Sequence, residues 1–341
     1  MMPQWTRLLA VVLVALLAPG CSDDEGNPFD QFSFSRPPSE GAILFYVSGA
    51  WAEETGGPRE LFALDAAGTV ERLTSCTERS EPCDFVEMAP SSNPDRIVAV
   101  RGTIGGDPEA TALFFVDLGR SVETIIAPAR RVQGADWSFD DSLVIYSNGD
   151  VEDLRAVLPN GEEDRSLTDT PDFRERSPRL EPGLSYAVHE GLEQTPGKSR
   201  IYAFQGETES PLAVTEGGPG SERLEGTPYI VGSDASPVTS PNAQFVAFRR
   251  LTGTGNGGLG TWDILYASLS DPEVEPVVVA GGGDVYRGSP DWGLDGRIVF
   301  VETDVAAGES RIVTIQPTGD DRQVLHVEDA GYRMAAPRWL R

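Results

Sequence analysis

The chain closes on APRWLR (336–341), and these six residues restate the opening of an earlier stretch, SPDWGLDGRIVF (289–300). In the earlier copy a Pro-x-Trp phrase leads through a polar turn into an apolar strand. In the later copy the chain stops after the phrase itself. A unit begun and left unfinished needs its remainder elsewhere. The stretch PSEGAILFYV (38–47) can supply it, because it carries the turn and the apolar strand without a Trp phrase before them.

Between these ends the same turn and strand recur as NPDRIVAV (93–100), SFDDSLVIY (138–146), EPGLSYAV (181–188) and SPNAQFVAF (240–248). The spacing averages about 51 residues, the period of propeller blades rather than of solenoids. A second phrase follows each first one. It reads ELFALDAAGTVERLT (60–74), ALFFVDLGRSVETII (112–126), DLRAVLPNGEEDRSLT (153–168), RIYAFQGETESPLAVT (200–215), DILYASLSDPEVEPVVV (263–279) and RIVTIQPTGDDRQVLHV (311–327). Each is strand, turn, strand, with the partial alternation of half-buried strands. Short segments such as GADW (134–137) precede the turns and bring the unit to four strands. The expected fold is therefore all-β: a six-bladed β-propeller over residues 41–341 with four-stranded blades. Its first and last elements must pair or leave open sheet edges. The C-terminal strand bearing Trp339 is expected to join the N-terminal blade and close the ring.

SPNAQFVAF, the Trp-Ser-Phe-Asp turn at 137–140 and the Leu-Thr ends at 73–74 and 167–168 resemble the WD40-like PD40 repeats of TolB-type six-bladed propellers. The resemblance covers about residues 41–341. Thr239 and Leu180 stand where that family often has Trp. TolB proteins carry an α/β domain ahead of the propeller, and residues 22–40 leave no room for one. The resemblance implies non-catalytic binding or scaffolding in a bacterial cell envelope, with a protein partner.

The N-terminus supports export. Residues 1–20 hold Arg7 and an apolar run at 8–18, shorter than the roughly 20 residues a membrane-spanning helix needs and suited to a signal peptide. LAPGC (17–21) resembles the lipobox of bacterial lipoproteins, which implies lipidation of Cys21 and membrane attachment through it. Pro19 is an unusual occupant of that box, and the alternative is an ordinary cleaved leader with an incidental Cys. Residues 21–40 read as a flexible tether with a reach of roughly 25 Å. Ser22, rather than Asp, after the Cys points to the outer membrane by the sorting rule of enteric lipoproteins, facing either periplasm or cell surface. In an oxidising compartment Cys76 and Cys83 are expected to bridge, a link worth about 2–3 kcal/mol on the chain-entropy model.

Composition narrows the partners. Acids number 54 against 27 Lys plus Arg, for a net charge of −27. Such a surface repels phosphate backbones, so nucleic acid is not expected. Gly 37 and Pro 26 suit a turn-rich chain. No cofactor motif stands in a suitable context. GTGNGG (253–258) matches a dinucleotide fingerprint, but a strand follows it where a helix is required, and it reads as a mobile hairpin loop. GLSYA (183–187) with His189 approaches a nucleophile elbow, yet Ser185 and His189 fall on one strand, roughly 13 Å apart. The Asp and Gly of FDD and LDG are read as turn-formers. The aromatic positions Trp137, Trp292, Trp339, Phe248 and Phe300 are read as packing between blades. The expected protein is a monomeric, non-enzymatic binding propeller. The rival is a hydrolase or lyase acting on envelope polymers through carboxylates near the channel; a third reading is a structural surface protein. A convergent acid pair on the innermost strands favours the rival, and an apolar patch on one face favours partner binding.

Overall fold

The computed structural model describes residues 42–48, 59–74, 84–102, 111–120, 122–127, 131–138, 140–149, 153–170, 173–180, 187–193, 198–204, 212–328 and 333–340. The leader, the tether, Cys21, Cys76, Cys83 and Ser185 lie outside these residues.

The described strands form six antiparallel four-stranded sheets. Blade 1, from its inner edge outward, is Arg333–Trp339, Ile43–Ser48, Glu60–Leu64 and Val70–Arg72. Blade 2 is Asp84–Pro90, Arg96–Gly102, Thr111–Asp117 and Val122–Ala127. Blade 3 is Val132–Trp137, Val144–Asn148, Asp153–Val157 and Arg165–Ser166. Blade 4 is Phe173–Leu180, Ala187–Glu193, Ser199–Phe204 and Leu212–Ala213. Blade 5 is Asp234–Thr239, Phe245–Gly253, Thr261–Ser268 and Val277–Ala280. Blade 6 is Tyr286–Trp292, Ile298–Asp304, Glu309–Ile315 and Gln323–Glu328. The inner strands of successive blades touch in order, and that of blade 6 touches that of blade 1. The ring is closed by the pairing of Ile43 with Trp339 through Ser48 with Arg333. Leu340 N–H adds a bond to Ala42 O at 2.8 Å.

Small polar side chains write the repeat. In the first turn of blades 3 and 5, Ser138 and Ser240 accept from the backbone of Leu143 and Phe245 at 2.8 and 3.0 Å. Each donates to the residue two on, Asp140 or Asn242. Asp140 of FDD and Asp295 of LDG are thus turn-formers, Asp295 accepting Arg297 N–H at 3.0 Å, whereas Asp141 accepts from Ser92 of blade 2. At the other end of the unit, Thr74, Thr168 and Thr215 accept from Leu61, Leu154 and Ile201 N–H at 2.9–3.0 Å. These threonines fix the outermost strand, too short in blades 1, 3 and 4 to hold its place by ladder bonds alone.

Inner strands carry a bulge at a fixed place. Gly134, Ser177, Ser236, Ser289 and Ala336 all take positive φ, three residues before the Trp137, Leu180, Thr239, Trp292 and Trp339 positions. A left-handed residue inserts one unpaired position and sharpens the local twist. A non-glycine there costs about 1–2 kcal/mol. Pro178, Pro237, Pro290 and Pro337 follow four of these residues, where an inner-edge strand can dispense with an N–H.

The aromatic positions pack across blade seams. Trp137 donates through Nε1 to Ala89 O of blade 2 at 3.0 Å. Trp292 meets Phe245 and Tyr266 of blade 5, with ring centroids 6.5 and 6.2 Å apart. Trp339 packs with Val299, Val301 and Ile312 of blade 6. A Cβ on Gly293 would fall 2.9 Å from its indole, so the close approach requires glycine. One expectation fails. GTGNGG is not a loose hairpin loop, because Asn256 is buried and bridges to blade 6 through Thr303 O and Val305 N–H, each at 3.1 Å.

Deleting residues 336–341 removes much of the closing strand and opens a sheet edge. The truncated chain is expected to aggregate or to melt far below wild type; an unchanged melting temperature would show that closure is dispensable. The tryptophans themselves should differ. Trp339 Nε1 is buried with no acceptor among the described residues, so Trp339→Phe removes an unsatisfied donor. Trp137→Phe instead strands the Ala89 carbonyl. Trp137→Phe should therefore be the more destabilising, by roughly 1–3 kcal/mol, read from denaturant midpoints.

Candidate functional site

The residue just before each Trp position lies on the innermost strand of its blade, beside the propeller axis. In blades 1 to 6 these residues are Arg338, Ala89, Asp136, Arg179, Val238 and Asp291. Opposite blades match: Arg faces Arg, Asp faces Asp, and a small apolar residue faces another. Glu87 of blade 2 completes the set. Its Oε1 receives Arg179 Nη2 of blade 4 at 2.5 Å and Arg338 Nη2 of blade 1 at 3.2 Å. Blades 2 and 4 are not neighbours, so this contact spans the axis.

The remaining acids hold the ring. Asp136 accepts Leu180 N–H at 3.1 Å, and Asp291 accepts Trp339 N–H at 2.8 Å. Each therefore ties its blade to the next. Arg179 is buried, which opposes its charge, but Glu87, Asp136 and Asp291 outweigh that effect and hold the guanidinium above its usual pKa. Acids do converge on the innermost strands, as the rival reading requires, but each is engaged by arginine or backbone.

Neither histidine has a catalytic setting. His326 meets Glu328 at 2.8 Å on an outer strand. His189 is buried between blades, stacked on Tyr202 at 5.8 Å, with Nε2 3.7 Å from Glu175 Oε1. Burial pulls His189 down to about 4. Burial likewise pushes Glu175 up to about 7, against the bonds it accepts from Thr168 and Leu154 N–H. Among the described residues no three His, Cys, Asp or Glu side chains gather as a metal-ligand set.

The two faces of the ring differ. The far face bears the crossovers between blades. There the segment 214–233 lays Leu224 against Ala235, Leu251 and Trp262 of blade 5. Arg249 lies 4.2 Å over the Trp262 ring and donates to Tyr286 Oη at 2.8 Å. The near face bears the turns from inner to second strands. On it Leu294 stands 73% exposed at the tip of the blade 6 turn. Two grooves flank Leu294. One, of about 360 Å³, runs between blades 5 and 6 along Phe245, Tyr266 and Trp292. The other, of about 710 Å³, runs between blades 6 and 1 along Ile43, Leu64, Val324, Leu325 and Trp339, with Asp65 and Asp295 among its lining. The seam aromatics Phe245, Tyr266, Trp292 and Trp339 thus also line grooves open to solvent.

Two measurements test these roles. Glu87→Ala leaves Arg179 and Arg338 facing each other without their shared anion, and should cost about 3–5 kcal/mol in stability. The second concerns pH. Glu175 has a raised pKa, so it gains a proton on folding between pH 4.5 and about 7, and its contribution to stability falls as pH rises through that window. His189 has a lowered pKa, so its contribution rises between about 4 and 6.5 and opposes the first. Relative to wild type, the melting temperature of Glu175→Gln should therefore climb from pH 4.5 to 7; a flat difference would show that Glu175 does not titrate there.

No family model matches the chain, and no curated protein matches it by sequence. Solved structures do resemble it. TolB from Acinetobacter baumannii superposes with a TM-score of 0.65 at 13% identity, over 89% of this chain and 68% of that one. A chain of the nidogen/laminin complex gives 0.61 at 10% identity, over 87% and 98%. Oligogalacturonate lyase from Vibrio parahaemolyticus gives 0.51 at 9% identity, over 85% and 75%. The chain thus has the six-bladed propeller fold seen in TolB, with a weaker likeness to the lyase.

Proposed function

We propose that this protein is a lipoprotein of the cell envelope, anchored through Cys21, whose propeller binds a protein partner without catalysis. One observation carries the reading: the axial acids are engaged in holding the ring, while apolar surface gathers on the near face around Leu294. An exposed Leu between two grooves floored by Phe245, Tyr266, Trp292 and Trp339 extends a continuous apolar patch, the kind of surface that marks an interaction site. TolB and the nidogen/laminin complex are consistent with binding on this fold. The lyase keeps the second reading in play, in which Glu87, Asp136 and Asp291 act on an acidic or neutral polymer at the axis.

Ala42 and Leu340, joined by a backbone hydrogen bond, lie at the near-face end of blade 1. The outer membrane, a periplasmic or surface orientation, and a monomeric propeller belong to the same reading, as does a Cys76–Cys83 bridge.

Capture from envelope extract with wild-type and Leu294→Asp protein separates the alternatives. Loss of a central apolar anchor should weaken a specific partner by about 2 kcal/mol, roughly thirtyfold. Equal capture by both proteins, together with cleavage of a polyuronide that Asp136→Asn abolishes, would replace binding with catalysis. Cys21→Ser should release the protein from membranes; full retention would remove the anchor.

A further inference from the structure

We propose that the groove between blades 6 and 1 takes a cationic segment of a partner protein, one in which an aliphatic or aromatic side chain stands beside Lys or Arg. The proposal rests on the reading of the near face as a binding surface and names the chemistry that fits it. At about 710 Å³ the groove has the usual size of a ligand cleft. Its apolar walls are Leu64 of blade 1, Val324 and Leu325 of blade 6, and Trp339 of the closing strand. Such walls favour an apolar side chain but do not set the charge of the residues beside it.

Two acids on opposite banks set that charge. Asp65 comes from the outer hairpin of blade 1 and Asp295 from the first turn of blade 6, and both line the groove. Asp65 Oδ1 accepts Ala67 and Thr69 N–H at 2.9 and 2.7 Å, and Asp295 Oδ1 accepts Arg297 N–H at 3.0 Å. The second oxygen of each carboxylate has no partner among the described residues, and no basic side chain pairs with either acid. Arg297 lines the same groove, but its guanidinium is taken by Asp321 and Thr314. The groove therefore presents two carboxylates without counter-charge, each able to accept a charge-assisted bond from a Lys or Arg laid across it. Charge also decides against a second copy as the occupant. Each copy carries −27 and would bring the same two acids to the contact, and like charges brought together oppose association.

The test uses the full chain and a labelled peptide, acetyl-Gly-Lys-Leu-Phe-Lys-Gly-amide, beside a twin with Glu in place of each Lys. Fluorescence anisotropy should show the lysine peptide bound about tenfold more tightly than its twin, a preference that shrinks as added salt screens the charges. Asp65→Asn with Asp295→Asn keeps the acceptors of both turns. It should weaken the lysine peptide about tenfold, the effect of losing two exposed ion pairs. Glu273→Gln with Glu275→Gln makes the same change of charge at two exposed positions of blade 5 outside the groove and should leave binding unaltered. Equal loss in the two variants would mean general attraction to an acidic surface and overturn the proposal. No binding, or equal affinity for the two peptides, would overturn it as well. A dimer that Asp65→Asn with Asp295→Asn strengthens would assign the groove to a second copy instead. Partner capture reports separately. Capture lost in Leu294→Asp, with peptide affinity indifferent to Asp65 and Asp295, sinks this inference alone. Peptide selectivity as expected, with capture unaffected by Leu294→Asp, sinks the partner reading instead.

Discussion

No blade of this protein can bury its own side chains. Each is a thin four-stranded sheet with apolar residues on both surfaces, so its core exists only against the next blade. The hydrophobic clusters follow that constraint: each of the six seams has one, built from the two blades that meet there. Cutting the ring anywhere exposes two such surfaces, and stability is therefore a property of the circuit rather than of a blade.

The seams are not equal. Among the described residues, that between blades 3 and 4 has the smallest cluster, Ile145 and Leu154 with Leu167 and Leu180 packed on them. Leu180 stands there in place of a Trp, and polar groups fill the remainder. Glu175 reaches from blade 4 to Thr168 and Leu154 N–H of blade 3, and Ser147 donates to Glu175 O at 2.7 Å. The opposite seam, between blades 6 and 1, has a large apolar cluster and the groove of about 710 Å³. The ring thus joins one polar seam and one apolar, accessible seam across a diameter. The axial residues repeat that two-fold scheme, with Arg179 opposite Arg338 and Asp136 opposite Asp291.

Much of the fold was legible because the repeat is written in local chemistry. Ser138, Asn242 and Asp295 form turns with neighbours two to five residues away, and the Thr of each Leu-Thr end accepts from a backbone N–H of its own blade. The axial network was not legible, although Arg338, Asp291 and Arg179 all sit inside the Pro-x-Trp-like phrases. Glu87, the partner of both arginines, lies 251 residues from Arg338 and 92 from Arg179. Only the closed ring decides that these side chains meet. The pinned loop at Asn256 escaped for the same reason, since its acceptors lie on another blade, 47 and 49 residues on. The grooves follow from the shapes of two adjoining blades and have no signature in either alone.

Closure by the two chain ends also sets a clock. Ile43 pairs with Trp339, so blade 1 waits for almost the whole chain. At ribosomal rates of 5–20 residues per second, the delay between these partners is about 15–60 s. Throughout that interval the first strands present an unpaired edge and an uncovered apolar surface. The loop to be closed is also among the longest the chain allows, though its entropic cost grows only slowly with length. A nascent chain of this design stays unfinished until its last strand arrives, which keeps it compatible with threading through a narrow pore and dependent on whatever shields it meanwhile.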